Sequence, residues 1–333
     1  MKVVITGGAG FIGANTCAAL LRAGSGDGSP GNPTGSTPIE VTVLDDLSSG
    51  RMSNLAGLDV TMVEGSILDD DALDASFAGA DSIIHLAARP SVPRSIADPV
   101  TAHTVNATGT VMVLEAARRH HVGHVVVASS SSVYGSNPTL PKTEDMTLRP
   151  MSPYAASKLA TETYTVAWAS SYGMDTLAFR FFNVFGPLQP ADHVYAAVVP
   201  AFVAAALDGR PLPINGDGSQ SRDFTSVHTV AATLTDAVVR RVGHPAPVNL
   251  AFGTRTTLLE LIGELERQLG RPLEREHRPP RAGDVPHSQA DQTRFESLFG
   301  HITPVPLPEA LADTIAWMQG ARADGPTGST DLH

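Results

Sequence analysis

Short runs of apolar, mostly β-branched residues alternate with alanine-rich stretches through the first half of the chain. The runs have the length of buried strands, and the stretch 15–23 has the composition of a helix. This alternation is typical of βαβ units, so it predicts an α/β fold with a doubly wound parallel sheet and helices on both faces. The strand-like runs are residues 3–6, 41–44, 82–86 and 125–128.

The pattern changes after about residue 180, where proline-containing segments and helix-like stretches at 198–207 and 257–269 predict a smaller lobe. We therefore expect a sheet domain mainly over 1–180, a substrate lobe mainly over 181–320 with chain crossovers, and a frayed polar tail over 321–333. The segment 25–37 is too rich in Gly, Pro and Ser to bury anything, which predicts a mobile, solvated loop.

Composition excludes several classes of protein. The 333 residues carry a net charge of -11 with Lys and Arg scattered, which argues against binding nucleic acid or a membrane surface. A single cysteine, Cys17, rules out an intramolecular disulfide, and no His/Cys cluster has metal-ligand spacing, so we expect no metal. The apolar stretch 195–207 is too short for a membrane span. We expect a soluble, cytoplasmic protein.

Three glycines, Gly7, Gly10 and Gly13, follow the first strand-like run and open a helix. In that context glycines permit a tight turn and let a pyrophosphate approach the helix N-terminus, which indicates a dinucleotide site. Asp45 closes the second strand, and a carboxylate there accepts hydrogen bonds from a ribose diol and repels a 2′-phosphate, which favours NAD over NADP. The alternative is that Asp45 and Asp46 cap the following turn, and Asp45 could do both.

Tyr154 and Lys158 are four residues apart, so on a helix they share one face. An ammonium beside a phenol stabilises the phenolate, and a tyrosine base near neutral pH needs its pKa lowered by about two to three units from roughly 10. An isolated pair of this spacing is more often an exposed tyrosine with a solvated lysine. The dinucleotide motif favours the catalytic interpretation.

These motifs, in this order and separation, resemble those of the extended short-chain dehydrogenase/reductases that act on nucleotide sugars, a family with a Rossmann fold. The whole is most similar to UDP-hexose 4-epimerases, and the resemblance runs nearly end to end. It is carried by the three glycines, by Ser129-Ser130-Ser131-Ser132-Val133-Tyr134-Gly135 and by Tyr154-Ala155-Ala156-Ser157-Lys158. Further similar stretches are residues 85–88, 106–110, 180–187, 220–224 and 281–285.

The resemblance implies NAD held tightly, Ser130 and Tyr154 around the sugar C4 hydroxyl, and Lys158 touching the nicotinamide ribose and the tyrosine. It implies NAD contacts at Gly7, Gly10, Phe11, Ile12, Gly13, Asp45, Asp46, Ser49, Gly50, Ser66, Ile67, Leu86, Ala87, Ala88, Asn106, Tyr154 and Lys158. It implies UDP-sugar contacts at Arg94, Ser130, Asn183, Val199, Arg222, Arg281, Asp284 and Ser288, with Asn183, Arg222 and Arg281 on the diphosphate. Each arginine could instead form a surface ion pair, and Ser130 could satisfy a strand end.

The chain departs from the family pattern at three places. Ser66 stands where the family often has an acid for adenine, and the loop 186–190 lacks the arginine that commonly follows Gly-Pro. Sugar-nucleotide 4,6-dehydratases of the family carry Thr-Asp-Glu where this chain has Ser130-Ser131-Ser132. The missing carboxyls disfavour dehydration and favour 4-epimerisation. A UDP-glucuronate 4-epimerase, another dehydratase or reductase, and a non-catalytic NAD-binding regulator are the alternatives.

Two finer expectations also follow from the resemblance. It implies a homodimer packed through helices at about 101–119 and 153–171, although these faces could be ordinary core. It places Ser288 beside the sugar C2 substituent, where a small side chain leaves room for an N-acetyl group. The alternative is that Ser288 caps a turn and that His287 or Leu188 closes the pocket.

Overall fold

A seven-stranded parallel sheet forms the centre of the molecule in a computed structural model, which describes residues 1–25, 37–191, 196–279 and 286–323. The strands of the described chain are β1 (Lys2–Thr6), β2 (Glu40–Asp45), β3 (Val60–Glu64), β4 (Ser82–His85), β5 (His124–Ser130), β6 (Asp175–Phe181), β7 (Val184–Phe185), β8 (Leu212–Asn215), β9 (Ser221–Arg222), β10 (Thr225–Ser226), β11 (Val248–Leu250), β12 (Thr256–Thr257) and β13 (Arg275–Arg278). The central sheet has the order β11-β6-β5-β4-β1-β2-β3.

Eleven α-helices connect and cover these strands in the described ranges. They are α1 (Phe11–Ser25), α2 (Asp70–Phe77), α3 (Val92–Ala97), α4 (Pro99–His103), α5 (Gly109–Arg119), α6 (Pro153–Tyr172), α7 (Val198–Leu207), α8 (Val227–Val239), α9 (Leu258–Leu269), α10 (Thr293–Phe299) and α11 (Leu307–Ala323). The strand order reverses at β1, which lies between β2 and β4. In open parallel sheets, ligands bind at such a switch point, outside the carboxyl ends of the strands.

The two faces of β1 explain why the sheet is covered on both sides. Val3 and Ile5 are fully buried in one cluster with residues of α1 and α8, whereas Val4 is buried in another with residues of α2 and α5. Side chains alternate along a strand, so a run that is apolar at every position requires a helix layer on each face. The predicted doubly wound fold is confirmed.

A third cluster of apolar side chains lies in the later part of the chain, where Phe202 of α7, Leu212 of β8 and Leu261 of α9 are almost fully buried together. The helices expected at 198–207 and 257–269 are α7 and α9. Thr257 caps α9 in a reciprocal arrangement with Glu260. Between α8 and α9 the chain returns to the main sheet, because β11 pairs with β6.

Some expectations fall at the margins of the described chain. Residues 26–36 of the expected loop lie outside the described residues. Helix α11 continues through Ala323, and residues 324–333 of the expected tail lie outside the described residues. No helix within the described ranges is long and apolar enough to cross a membrane. The division near residue 180 stays a prediction.

Candidate active site

A cavity opens at the carboxyl ends of β1, β2, β4 and β5, where the strand order reverses. It brings together motifs that are far apart in sequence, namely the glycine turn, the end of β2 and the start of α6. The predicted residues that line it are Gly7, Gly10, Phe11, Ile12, Gly13, Asp45, Asp46, Ser49, Ile67, Leu86, Ala87, Ala88, Ser130, Tyr154, Lys158 and Asn183. The predicted cofactor and catalytic groups therefore share one cavity.

The glycine turn fits a dinucleotide because no side chain could occupy it. Gly7 has a φ of +75°, and a Cβ atom on it would lie 2.7 Å from the Ala87 nitrogen. A Cβ atom on Gly13 would lie 2.2 Å from the Gly7 carbonyl oxygen. The turn after β1 thus packs directly on the turn after β4 and leaves the N-terminus of α1 at the cavity wall. This is the geometry that accepts a pyrophosphate.

Asp45 is buried at the end of β2, with only 7% of its surface exposed. Its carboxylate accepts hydrogen bonds from the Ala9 nitrogen at 2.9 Å and from the Leu47 nitrogen at 2.9 Å. Burial raises the pKa of Asp45, and these two amides oppose that shift. The turn-capping alternative therefore describes part of its role. Each oxygen keeps a lone pair for a ribose hydroxyl, since a carboxylate offers about four acceptor sites.

Helix α6 carries the catalytic pair. Ser152 caps it by accepting a hydrogen bond from the Ala155 nitrogen at 3.1 Å, and Pro153 occupies the first turn. Lys158 is buried and its Nζ donates to the Ala128 carbonyl at 2.9 Å. Because burial strips this ammonium of water, the pKa of Lys158 falls to about 8.

The pKa of Tyr154 shifts in the opposite direction to the one expected from the sequence. Burial raises it, and the side-chain hydrogen bond with Ser130 lowers it by less. Helical spacing predicted the neighbourhood of the two side chains, but it could not predict that Lys158 donates to a carbonyl of β5. The protein groups alone therefore do not prepare the phenolate, and a further positive charge is needed to favour it.

A buried ion pair beneath α6 was not found by sequence reasoning. Arg180 donates to Glu162 through Nε at 3.0 Å and Nη2 at 2.7 Å. The Ser129 hydroxyl is within hydrogen-bonding distance of both Glu162 Oε2, at 2.9 Å, and the Lys158 carbonyl, at 3.2 Å. This network ties the end of β5 to the turn of α6 that carries Lys158. Arg180 lies in the 180–187 stretch that supported the resemblance. Its partner Glu162 is 18 residues away in the sequence, so the motif itself did not indicate the pairing.

Asn106, for which the resemblance implied a cofactor contact, is not among the residues that line the cavity. It lies in the π-helical turn Thr104–Thr108, and its amide is used by the protein itself. Its Oδ1 accepts from the Arg89 nitrogen at 2.7 Å, and its Nδ2 donates to the Arg89 carbonyl at 3.2 Å and to the Ser157 hydroxyl at 2.9 Å. Asn106 therefore braces the loop after β4 against α6.

Two other predicted NAD contacts also lie just outside the cavity wall. The Ser66 hydroxyl accepts a hydrogen bond from the Leu68 nitrogen at 3.1 Å and so caps its own turn. Gly50 packs behind Asp45, since a Cβ atom on it would lie 2.8 Å from Asp45 Oδ1. Both residues therefore support residues of the cavity wall without lining it themselves.

The predicted substrate contacts are more dispersed. Arg94 is exposed on α3, and Val199 is 2% exposed in the apolar cluster of α7, so neither lines the cavity. Arg222 Nη1 donates to the Ser221 carbonyl at 2.9 Å. Ser288 also contacts that carbonyl, through its nitrogen at 3.1 Å, and so lies beside Arg222. Arg281 and Asp284 lie outside the described residues.

The remaining wall residues are close in sequence to the motifs already identified. Their position next to those motifs was the only indication in the sequence that they would line the cavity. They are Leu44, Ser48, Gly65, Arg89, Pro90, Val105, Ala128, Ser129, Phe181, Val184 and Gln189. No group of three or more His, Cys, Asp or Glu side chains suited to a metal ion occurs within the described ranges.

Comparison with known proteins identifies the family to which this site belongs. Residues 3–251 match the NAD dependent epimerase/dehydratase family. The chain belongs to that family. A UDP-glucose 4-epimerase of Mycolicibacterium smegmatis is 40% identical over 330 residues, which cover 96% of this chain and 99% of that protein. A dTDP-glucose 4,6-dehydratase of Streptomyces niveus is 33% identical, with 97% and 94% covered.

A solved structure of similar shape is the UDP-N-acetylglucosamine 4-epimerase of Methanobrevibacter ruminantium M1, in complex with UDP-N-acetylmuramic acid. It superimposes with a TM-score of 0.86 at 34% identity, covering 96% of this chain and 98% of that one. As a member of the NAD dependent epimerase/dehydratase family, the protein is an enzyme of the UDP-sugar 4-epimerase group with NAD as its cofactor. The glycine turn and Asp45 fit that cofactor.

Proposed function

We propose that the protein catalyses the NAD-dependent 4-epimerisation of a UDP-hexose, UDP-glucose to UDP-galactose or the N-acetylated pair, through a 4-keto sugar. The observation that carries the proposal is that Tyr154, hydrogen-bonded to Ser130, lines the same cavity as Lys158 and the glycine turn. A base, a hydroxyl relay and a cation beside a dinucleotide site are the groups that oxidation of a sugar hydroxyl requires.

Each residue has a distinct role in this mechanism. When bound, NAD supplies a reversible hydride acceptor and the positive charge of its nicotinamide. Tyr154 takes the proton of the sugar 4-hydroxyl, directly or through Ser130, and returns it once the opposite face of the keto sugar is presented. The charge of Lys158 favours the phenolate when its ammonium is within a few ångströms of Tyr154.

Epimerisation also requires that the nucleotide be held firmly and the hexose loosely, because the keto sugar must turn about its phosphate link. We assign the firm contacts to Asn183, Arg222 and Arg281, since guanidinium groups bind phosphate oxygens through paired hydrogen bonds. Asn183 lines the catalytic cavity, and its Nδ2 donates to the Asp223 carbonyl at 3.0 Å, next to Arg222 in sequence.

Dehydration is the chemistry of some relatives, including the Streptomyces niveus dTDP-glucose 4,6-dehydratase. Eliminating water across C5 and C6 needs an acid and a base beside the sugar. This chain has Ser131 and Ser132 at the positions where dehydratases of the family carry Asp and Glu. Unlike carboxyl groups, these two serine hydroxyls cannot act as the acid and the base near neutral pH, which supports epimerisation. The intact Ser130, Tyr154 and Lys158 argue against a non-catalytic regulator.

The direct test incubates the purified protein with single UDP-hexoses and follows the C4 configuration by NMR, with no NAD added. We expect interconversion of at least one 4-epimer pair. Tyr154→Phe should lower turnover by at least about a hundredfold, the scale of a lost general base. Tyr172→Phe is the matched control, because it removes a hydroxyl from a 53% exposed tyrosine at the end of the same helix. Near-normal activity of Tyr154→Phe would contradict the mechanism.

We also propose that Ser288 leaves room for an N-acetyl group at C2. Its support is the position of Ser288 beside Arg222, a proposed diphosphate ligand. Ser288→Tyr should selectively abolish turnover of UDP-N-acetylhexosamines, because filling a pocket rejects the larger ligand by steric clash. If the wild-type enzyme interconverts UDP-glucose and UDP-galactose but does not turn over either N-acetylated sugar, the proposal for Ser288 is wrong and the epimerase proposal stands.

The expected homodimer is likewise a proposal. It is supported by apolar side chains that stay exposed on adjoining helices: Val100 of α4 is 74% exposed, and Tyr164 and Tyr172 of α6 are 42% and 53% exposed. Exposed large apolar groups on neighbouring helices mark a protein interface when they form one patch. Light scattering should give twice the mass of one chain, and a monomer would contradict the proposal.

A further inference from the structure

Four charged residues line the catalytic cavity, and one of them has no role in the mechanism above. Asp45 and Asp46 lie at the end that fits the adenine ribose, and Lys158 lies beside Tyr154. The fourth is Arg89, which follows β4 in the loop that leads to α3. The described wall therefore holds two cations and no acid outside the Asp45 end.

The backbone of Arg89 is fixed on the catalytic side of the cavity. Both its nitrogen and its carbonyl are held by the Asn106 amide, which also donates to Ser157 in the first turn of α6. Helix α3, which follows this loop, is also tied to α6, because the Tyr154 nitrogen donates to the Ser95 hydroxyl at 3.0 Å. The Arg89 backbone is therefore anchored near the start of α6, and Arg89 lines the cavity that Tyr154 also lines.

The Arg89 side chain is half-buried, and its guanidinium forms no hydrogen bond or ion pair with any residue in the described part of the chain. Asp98 feels its charge, but the two side chains form no ion pair, and Asp98 caps α4 through the Thr101 nitrogen at 3.1 Å. A partly desolvated guanidinium is stabilised by an anion, and its planar donors match a carboxylate. A neutral hexose offers no such partner.

Other anions of the reaction have binding groups elsewhere. The pyrophosphate of NAD fits the glycine turn, and the nucleotide diphosphate is assigned to Asn183, Arg222 and Arg281. We propose that Arg89 binds a carboxylate on the hexose itself, so that acidic UDP-hexoses are the preferred substrates. This inference rests on the proposed 4-epimerisation but moves the preferred substrate from a neutral to an acidic UDP-hexose. The carboxylate belongs either to C6 of a hexuronate or to a carboxyalkyl ether on the ring.

The test measures binding to the NAD-loaded enzyme by calorimetry, with UDP-glucose, UDP-glucuronate and UDP-N-acetylmuramate as probes. One of the two acidic sugars should bind at least about tenfold more tightly than UDP-glucose, the scale of a charge-assisted hydrogen bond. Arg89→Gln should weaken the binding of that acidic sugar by about 10- to 100-fold and should change the affinity for UDP-glucose by less than about threefold. Arg89→Lys, which keeps the charge but not the paired donors, should lie between.

Arg210→Gln is the matched control. It makes the same change in net charge at a 63% exposed arginine paired with Asp208, and it should alter neither affinity. The two acidic probes separate the two sources of the carboxylate, because only the one that reaches Arg89 should respond to Arg89→Gln.

Three results would overturn the inference. The first is wild-type enzyme that binds neither acidic sugar more tightly than UDP-glucose. The second is an equal loss of affinity for neutral and acidic sugars in the Arg89→Gln variant. The third is loss of NAD from that variant, which would make Arg89 a dinucleotide ligand. Selective, Arg89-dependent binding without inversion at C4 for any sugar would instead reject the proposed function and leave the carboxylate site standing.

Discussion

The buried ion pair between Arg180 and Glu162 gives the sharpest test of how the active site is supported. Both side chains are 3% exposed, and two hydrogen bonds of 3.0 and 2.7 Å join them. Glu162→Gln preserves shape but leaves the guanidinium without its counter-charge. Removing one partner of a buried pair costs about 3–5 kcal/mol, because the remaining charge stays desolvated. Glu162→Gln should therefore lower the free energy of unfolding by that amount.

The assay is urea unfolding followed by circular dichroism at saturating NAD, in a double-mutant cycle with Arg180→Met. The double variant should be no less stable than either single variant, because it buries no uncompensated charge. Glu115→Gln is the matched control: its partner Arg118 is 45% exposed, and such surface pairs contribute about 0–1 kcal/mol. A loss below about 1 kcal/mol for Glu162→Gln, or simple additivity in the cycle, would refute the reasoning.

Two further predictions concern the cofactor site. Because burial lowers the pKa of Lys158 from 10.5 to about 8, the folded state binds fewer protons than the unfolded state between these values, so stability should rise with pH across that window. Burial raises the pKa of Cys17 and of Tyr134, and these groups act in the opposite direction within the same window, so the contribution of Lys158 is the difference between two variants. The slope of the urea midpoint against pH should be more positive in the wild type than in Lys158→Met, and equal slopes would disprove its origin. Gly13→Ala places a Cβ atom 2.2 Å from the Gly7 carbonyl oxygen, so the purified variant should carry no NAD by absorbance; full NAD content would show that the turn can relax.

The sequence predicted the parts of the structure that depend on local pattern. Apolar runs such as Val3–Val4–Ile5 indicated the doubly wound sheet, because a strand buried on both faces is apolar at most of its positions. The glycine turn was predictable for a similar reason, since only glycine fits where two backbones touch.

What the sequence could not predict depends on contacts between distant segments. Asn106 lies in a stretch that signalled the resemblance, yet its amide braces the Arg89 backbone instead of lining the cavity. Val199 was expected at the substrate and is buried in the apolar cluster formed by α7 and its neighbours. In a helix that is apolar on all sides, the sequence does not indicate which side faces a ligand. The partner of Lys158 is a β5 carbonyl, and helical spacing carries no information about a neighbouring strand.

The central claim is inversion at C4 by reversible oxidation at that carbon, and an isotope label tests it most directly. The substrate is the UDP-hexose that the panel identifies, labelled with deuterium at C4, and no NAD is added to the enzyme. The account predicts that NMR and mass spectrometry find the inverted product with deuterium still on C4 and no water lost. Deuterium on another carbon together with loss of water, or deuterium released to the solvent, would contradict it.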